Sequence, residues 1–273
     1  MYCVESINRN GNPLNFLHIS ADSAKAPMVL LLHGFPDSAY GWNLQIDALK
    51  GKFQIIVPFL TKTKNTELKQ DLKALVEKIR TGADQKIFVV SHDIGSFLSV
   101  DLLQEGLDIA GLIHINGLGM DQFVSRKFSL KQWLRSSYVF PAQIGLVRGL
   151  VRKFFPKAFL NFIYDLSRVH PDDDMRRFND SSVLDHMAIY KDLLRTYISR
   201  LGKKKIFIKT PTLFIWGKDD VFLNLPSLAE VNRYYGAATV RILSGGHWVL
   251  RSQSPHVNKL IFQTLHSWGG PRE

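Results

Sequence analysis

The fold is decided by a short apolar run that ends in a polar turn: residues 86–96 read KIFVVSHDIGS. Residues 86–90 are too few for a helix, and their β-branched and aromatic content predicts a strand buried on both faces of a parallel sheet. Small residues at Ser91 and Gly95 flank Asp93, a spacing typical of the sharp strand-to-helix elbow that exposes one side chain above a sheet. Because such a turn crowds the backbone against neighbouring strands, its flanking residues have to be small.

Further apolar runs of the same kind recur along the chain, at residues 27–32, 54–57, 110–115, 212–216 and 239–243. The stretches between them have helical periodicity, which is clearest in residues 67–80, where five apolar side chains share one face. This alternation predicts an α/β protein with a mostly parallel central sheet flanked by helices. An antiparallel hairpin around Asn10-Gly11 is expected to precede it.

The alternation stops after the run at 110–115, and up to about residue 209 the pattern is helical, without a run typical of a core strand. We therefore predict a core domain formed by residues 1–119 and 210–273, with a helical cap at residues 120–209 inserted into it. The cap also concentrates charge. Of a net charge of +11, residues 121–209 contribute 18 basic against 8 acidic side chains, a net of +10.

Composition excludes several classes of protein. Cys3 is the single cysteine, so neither a disulfide scaffold nor a thiolate zinc site can form within the chain. The N-terminus has no basic region followed by an apolar one, and no stretch reaches the roughly 18 apolar residues of a spanning helix. We expect a soluble, cytoplasmic protein that requires neither a metal nor an organic cofactor.

Polar residues also follow other predicted strands, at the edge where an open α/β sheet binds its ligands. The motif HGFP lies at residues 33–36, Asp219 and Asp220 follow the run at 212–216, and His247 follows the last run. A carboxylate at the elbow can attack an electrophilic sp³ carbon and form an alkyl ester. Water activated by a histidine that an acid orients would then cleave the ester. These roles fit Asp93, His247 and one of the two adjacent aspartates.

Taken together, these motifs resemble the α/β-hydrolase superfamily, and within it the branch of epoxide hydrolases and haloalkane dehalogenases. The sequences of the elbow and of residues 32–42 most resemble those of proteins of the mesoderm-specific transcript type. The resemblance covers nearly the whole chain, with the helical insertion as the cap. It identifies His33, Gly34 and Pro36 as the oxyanion-loop motif, and it implies that the backbone amides of Phe35 and Ile94 form the oxyanion hole.

The resemblance also assigns the acid of the catalytic triad. The late Gly-x-x-Asp pattern of the family places it three residues after Gly217, at Asp220, although Asp219 is adjacent. The triad of the expected hydrolase is then the nucleophilic aspartate Asp93 with His247 and Asp220.

The leaving group distinguishes the two chemistries of this branch. Family dehalogenases typically hold halide with a tryptophan after the nucleophile and often an asparagine in the oxyanion loop, where this chain has Ile94 and Phe35. Epoxide hydrolases use cap tyrosines, because an alkoxide leaving group needs a proton. Tyr190 lies at the family's spacing before Pro211, and Tyr138 near the start of the cap is the candidate for the second tyrosine. The resemblance therefore implies hydrolysis of an epoxide to a diol.

One departure from the family keeps alternatives open. After the strand at 54–57, relatives carry a glycine-rich loop ending in Ser-Asp, whereas residues 57–67 here read VPFLTKTKNTE. A haloalkane or haloacid dehalogenase, or a non-catalytic binding protein on the same scaffold, remain alternatives. An esterase is disfavoured because Asp93 stands where an esterase has serine, and Ser91 lies two residues too early.

Expected partners follow from the same motifs and from the charge. The main one is a small hydrophobic substrate, an epoxide or a related electrophile. Basic and apolar residues alternate in the cap around residues 146–157, so a peripheral contact with an anionic membrane is a hypothesis. Nucleic acid is not expected, because none of the known nucleic-acid-binding modules is present.

Overall fold

The computed structural model describes residues 3–9, 12–60, 65–125, 149–150, 153–154, 156–166, 195–196, 198–200 and 205–271. The core domain predicted from the sequence is therefore described almost completely, whereas most of the predicted cap is not. Tyr138 and Tyr190 both lie outside the described residues. The proposed boundaries of the cap at residues 120 and 209 stay a prediction.

The described part of the chain forms an eight-stranded sheet in the order β1-β2-β4-β3-β5-β6-β7-β8. The strands are β1 (Val4–Arg9), β2 (Asn12–Ile19), β3 (Met28–Leu32), β4 (Gln54–Pro58), β5 (Ile87–His92), β6 (Gly111–Ile115), β7 (Thr212–Gly217) and β8 (Ala238–Leu243). β2 is antiparallel to both of its neighbours, and all the other pairs are parallel. The prediction of an α/β fold with a mostly parallel sheet and an N-terminal hairpin is confirmed.

The central strands are buried because helices cover both of their faces. Every residue of β3, β5 and β6 is buried. Alternate side chains of β3 enter different hydrophobic clusters, Leu31 one and Leu30 the other, as expected from the period of two in a strand. β8 lies at the edge of the sheet and is only partly covered, with Ile242 exposed. Continuous apolar runs therefore mark the centre of this sheet.

The α-helices whose bounds lie in the described residues are α1 (Asn43–Leu49), α2 (Asn65–Ile79), α3 (Gly95–Gln104), α4 (Met120–Ser125), α5 (Pro156–Leu166), α6 (Leu228–Asn232), α7 (Val249–Ser252) and α8 (Ser254–Ser267). The apolar face predicted for residues 67–80 is the face that α2 buries; Leu68, Leu72, Leu75 and Val76 are fully covered. Apolar side chains at helical spacing also predict a helix over residues 225–235, but α6 covers only five of these residues. It begins only after Ser227, whose hydroxyl accepts a hydrogen bond from the Glu230 amide and caps the helix.

A segment of the predicted cap packs against one face of the sheet. The inner face of α5 carries Leu160, Ile163 and Tyr164, which are buried in the same cluster as Leu31 and Phe35. That cluster covers the carboxyl ends of the strands that carry the predicted site. Across the residues that the structure describes, no helix has both the length and the apolar character needed to cross a lipid bilayer.

Candidate active site

Asp93 lies between β5 and α3 in a strained backbone conformation. Its φ angle is +52°, in the left-handed region that residues other than glycine rarely adopt. The turn is packed tightly against the neighbouring β3, because a Cβ atom on Gly95 would clash with the carbonyl oxygen of Leu32. A Cβ atom on Gly34 would lie 2.5 Å from the Asp93 side chain. The elbow predicted from the small flanking residues is present, and it points Asp93 at the oxyanion loop.

Ser91, the other small residue of the elbow, anchors it by hydrogen bonds. Its Oγ lies 3.0 Å from Oγ of Ser96 and 2.9 Å from Nδ1 of His114, and it donates to the carbonyl oxygen of Ile113 at 3.2 Å. Both Ser91 and His114 are completely buried, and burial lowers the pKa of His114 to about 3. Ser91 is thus a structural residue of the elbow and, being buried, is no candidate for an esterase nucleophile.

The oxyanion loop meets the elbow through backbone amides. The amide of Phe35 donates to Oδ2 of Asp93 at 3.1 Å, and the backbone amide of Ile94, the next residue, acts with it to lower the pKa of this carboxyl group. His33 holds the loop from below: its Nδ1 donates to the Gly34 carbonyl at 2.9 Å, and its Nε2 accepts from the amide of Leu60 at 3.1 Å. The structure therefore brings together the two amides predicted to form the oxyanion hole.

Phe59 and Leu60 follow β4 and belong to the segment that replaces the family's glycine-rich loop. The structure describes this segment as far as residue 60, and α2 begins at Asn65. Phe59 packs edge-on against Tyr40, with ring centroids 5.3 Å apart. Despite the departure in sequence, the end of β4 is thus joined to the oxyanion loop through the hydrogen bond between Leu60 and His33.

His247 joins the two predicted carboxylates. Its Nδ1 donates to Oδ2 of Asp220 at 2.8 Å, and its Nε2 lies 3.7 Å from Oδ1 of Asp93. Asp219, by contrast, is exposed, and its amide donates to the Gly245 carbonyl. Of the two adjacent aspartates, Asp220 is the one in contact with His247.

Asp220 is held by more donors than the sequence revealed. Its Oδ1 accepts from the amides of Phe222 and Leu223 at 2.7 and 3.0 Å, and its Oδ2 accepts from Nδ2 of Asn116. Asn116 directly follows β6, has a φ of +41°, and also accepts a hydrogen bond from the Gly217 amide. Sequence analysis missed this residue. Its signal is a polar residue at the carboxyl end of a buried strand, at the same edge as the other site residues.

These contacts set the charges of the site. Burial would lower the pKa of His247, but the carboxylates of Asp220 and Asp93 outweigh burial and raise it. For Asp220, burial acts to raise the pKa, whereas the His247 charge and the donated hydrogen bonds lower it. Burial raises the pKa of Asp93, against the opposing effects of His247 and the two backbone amides. Asp220 is therefore the more acidic partner of the imidazole.

His92 packs against His247 and holds its backbone, but His92 itself is neutral. The two rings lie 4.8 Å apart between centroids, and Nε2 of His92 donates to the backbone carbonyl of His247 at 3.0 Å. Burial, followed by the charge of His247, lowers the pKa of His92 to about 3. His92 thus stays neutral at physiological pH and holds the loop that carries His247.

Tyr164 connects the cap helix α5 to two of the site's loops. Its hydroxyl donates to the carbonyl oxygen of Pro36 at 3.3 Å, and its ring packs edge-on against Trp248, with centroids 5.6 Å apart. The sequence predicts a helical cap in this region but does not single out Tyr164, because its contacts depend on how α5 docks. The two tyrosines that it did single out, Tyr138 and Tyr190, lie outside the described residues.

Comparison with known proteins assigns the class. The model of the family described as "Alpha/beta hydrolase family" matches residues 29–257, and the chain belongs to this family. The prediction of a hydrolase of this fold is thereby confirmed.

Individual relatives have low sequence identity to this chain, but the matches cover almost its full length. The chain is 28% identical to "Epoxide hydrolase 4" of Homo sapiens, over 97% of this chain and 78% of that protein. It is 25% identical to "AB hydrolase superfamily protein YfhM" of Bacillus subtilis, over 95% of this chain and 96% of the relative. Among solved structures, a Bacillus megaterium epoxide hydrolase in complex with an inhibitor superposes with a TM-score of 0.81 at 20% identity. That likeness covers 96% of this chain and all of the solved one, and it confirms the fold.

The contacts of His247 lead to a prediction about its pKa. Asp220→Asn removes the carboxylate that most strongly opposes the effect of burial, so the pKa of His247 should fall. The matched variant Asp219→Asn, one residue earlier and exposed, should leave it unchanged. NMR titration of the imidazole signals measures both, with the His247 signal assigned from its loss in His247→Gln. Equal shifts in the two variants would contradict the assignment of Asp220 as the partner.

Proposed function

We propose that this protein hydrolyses epoxides to diols through an alkyl-enzyme ester formed on Asp93. The observation that carries the proposal is the carboxylate on the elbow, which lies 3.7 Å from Nε2 of His247 and accepts a hydrogen bond from the Phe35 amide. An aspartate in this place attacks an sp³ carbon, whereas a serine would attack an acyl carbon and become acylated. The names of relatives such as "Epoxide hydrolase 4" support the same reaction.

In the first step, Asp93 attacks a ring carbon of the epoxide. The Phe35 amide holds Oδ2, so we assign the attack to Oδ1. The new C–O bond forms as the ring C–O bond breaks, and the ring oxygen becomes an alkoxide that requires a proton. Tyr190, assisted by Tyr138, is the proposed donor on the basis of its spacing in the sequence. The side chain of Asp93 retains 15% exposure, which gives a substrate access to the carboxylate.

In the second step, water cleaves the ester. Nε2 of His247 takes a proton from the water as the water oxygen attacks Cγ of Asp93. Asp220 stabilises the imidazolium that results. The amides of Phe35 and Ile94 stabilise the tetrahedral oxyanion, an effect of about 3 kcal/mol per donor. Collapse of this intermediate breaks the bond between Cγ and Oδ1, and the imidazolium gives its proton to the leaving alkoxide. The second proton of the water passes from the new carboxyl group of Asp93 to the phenolate of Tyr190, which restores the enzyme as the diol is released.

The surroundings of His247 support a hydrophobic substrate. Its ring contacts Phe222 and Trp248, with centroids 5.1 and 5.0 Å away, and Phe35 and Ile94 are apolar where family dehalogenases carry polar halide ligands. We therefore propose a small hydrophobic epoxide as the substrate, in preference to a haloalkane. We also propose that the protein is cytoplasmic, as expected from the sequence.

The reaction is tested by a turnover screen with two substitutions. Styrene oxide and a fatty epoxide are compared with 1-bromohexane and a p-nitrophenyl ester, and we expect turnover of the epoxides. Asp93→Asn should lower it by at least roughly 10³-fold, because the nucleophile is lost. His247→Gln should still be alkylated but fail to hydrolyse the ester, so intact mass spectrometry should detect an adduct of substrate mass.

The control for both substitutions is Asp219→Asn, which should retain turnover. Preference for 1-bromohexane would favour the dehalogenase, and no turnover of any of these compounds would favour the non-catalytic alternative. Epoxide hydrolysis that Asp93→Asn leaves intact would exclude the proposed nucleophile.

The pH dependence follows from the pKa of His247. The Asp93 carboxylate is one of the charges that raise this pKa, and esterification removes that charge. His247 must be neutral to accept a proton, so hydrolysis is lost as the pH falls through its pKa. We expect this loss in the alkyl-enzyme to occur at a lower pH than the titration of His247 in the free enzyme. The measurement compares the pH dependence of the single-turnover rate of ester hydrolysis with the NMR titration of His247 in the free enzyme. Loss of hydrolysis at a pH equal to or above that of the titration would contradict the prediction.

A further inference from the structure

The described residues of the cap expose large apolar side chains. Within the described part of the chain, the strongly exposed phenylalanines are Phe154, Phe162 and Phe207, and all three lie in the predicted cap. Leu150 and Ile198, from the same segment, are 48% and 58% exposed. Exposed apolar side chains that occur singly are common, but this concentration in one segment is typical of an interaction surface.

The contacts of α5 show which way this surface faces. Leu160, Ile163 and Tyr164 are buried against the core, whereas Phe162, on the opposite side of the same helix, is exposed. Lys157, in the first turn of the helix, is exposed at the border of the buried face. The outer face of α5 is therefore turned away from the catalytic loops. Just before this helix, Leu150, Lys153 and Phe154 are also exposed.

The same stretch is basic. Residues 148–157 read RGLVRKFFPK, with four basic side chains and no acidic one. The ammonium group of Lys153 lies 5.3 Å from the centroid of the Phe154 ring, so charge and apolar surface are adjacent. The surrounding segment 121–209 carries a net charge of +10, which extends this positive character beyond the stretch itself.

We propose that the cap binds the surface of an anionic membrane through Leu150, Lys153, Phe154, Lys157 and Phe162, hereafter the cap surface. A segment in which basic and apolar side chains alternate can lie in the membrane–water interface. Its apolar groups insert among the lipid acyl chains, and its cations contact the anionic headgroups. Leu150 favours lipid over nucleic acid, because an aliphatic side chain cannot stack on a base as an aromatic one does. A second copy of the chain would bring like charges together.

Membrane binding would bring the catalytic loops close to the lipid. Tyr164 on the inner face of α5 contacts Pro36 and Trp248, so one helix, about 10 Å across, separates Phe162 from the oxyanion and histidine loops. This consequence rests on the proposed function, since a hydrophobic epoxide would accumulate in the bilayer. The binding itself does not depend on the reaction.

Co-sedimentation with vesicles tests the proposal. The full chain is mixed with vesicles of phosphatidylcholine alone, or of phosphatidylcholine and phosphatidylglycerol at a ratio of about 7:3. We expect binding to the anionic vesicles only, weakened in 0.5 M NaCl because salt screens the attraction. Absence of binding to the anionic vesicles, equal binding to both kinds, or tighter binding to single-stranded RNA than to lipid would each overturn the proposal.

Two pairs of variants locate the contact. Lys153→Glu with Lys157→Glu should weaken vesicle binding by at least about thirtyfold, whereas the exposed core lysines, in Lys25→Glu with Lys259→Glu, should have little effect. Leu150→Ser should weaken binding, whereas Leu228→Ser, at a more exposed leucine of the core, should not. Equal losses within either pair would overturn the assignment to the cap surface.

Turnover of styrene oxide without vesicles separates this proposal from the proposed function. The cap-surface variants should hydrolyse this small, dispersed substrate at the wild-type rate, which also shows that they fold. Failure of vesicle binding with normal turnover would refute the membrane contact alone. Failure of turnover in the wild type, with vesicle binding intact, would refute the epoxide reaction alone.

Discussion

The geometry of the candidate active site depends on the backbone constraint at Asp93. A left-handed conformation at a residue other than glycine costs of order 1–3 kcal/mol and persists only where the surroundings impose it. Here β3 and β5 pair in parallel up to Leu32 and Ser91, which places the Leu32 carbonyl against Gly95 and leaves no space for a side chain there. The same crowding brings the oxyanion loop beside the carboxylate. The strain is thus balanced by a core that is buried on both faces.

Around this elbow, a chain of polar contacts links Asn116, Asp220, His247 and Asp93. Asn116 and two backbone amides hold Asp220, Asp220 orients His247, and His247 faces Asp93. Burial acts to lower the pKa of His247 and to raise the pKa of Asp220, and the charge of each residue opposes this effect of burial on the other. Esterification of Asp93 would alter this balance by removing a carboxylate, which couples the first step of the proposed reaction to the second.

Much of this could be predicted from the sequence, because strands buried on both faces contain almost no polar residues until they end. The polar residues at 33, 93, 220 and 247 therefore mark one edge of the sheet. Asn116 and Tyr164 could not be assigned in the same way. Asn116 contacts Asp220 across 104 positions of sequence, with a positive φ that no pattern predicts. The contacts of Tyr164 depend on how α5 docks, and the length of α6 depends on a single capping serine.

The central claim is that Asp93 becomes an ester whose carbonyl carbon water attacks. A single turnover of an epoxide in H₂¹⁸O, with enzyme in excess, tests it most directly. The account predicts that the solvent oxygen enters the carboxylate of Asp93, detected by mass spectrometry of the peptide that contains it, while the first diol released carries no ¹⁸O. Label in the first diol with none in Asp93 would show direct attack of water on the epoxide and would contradict the account.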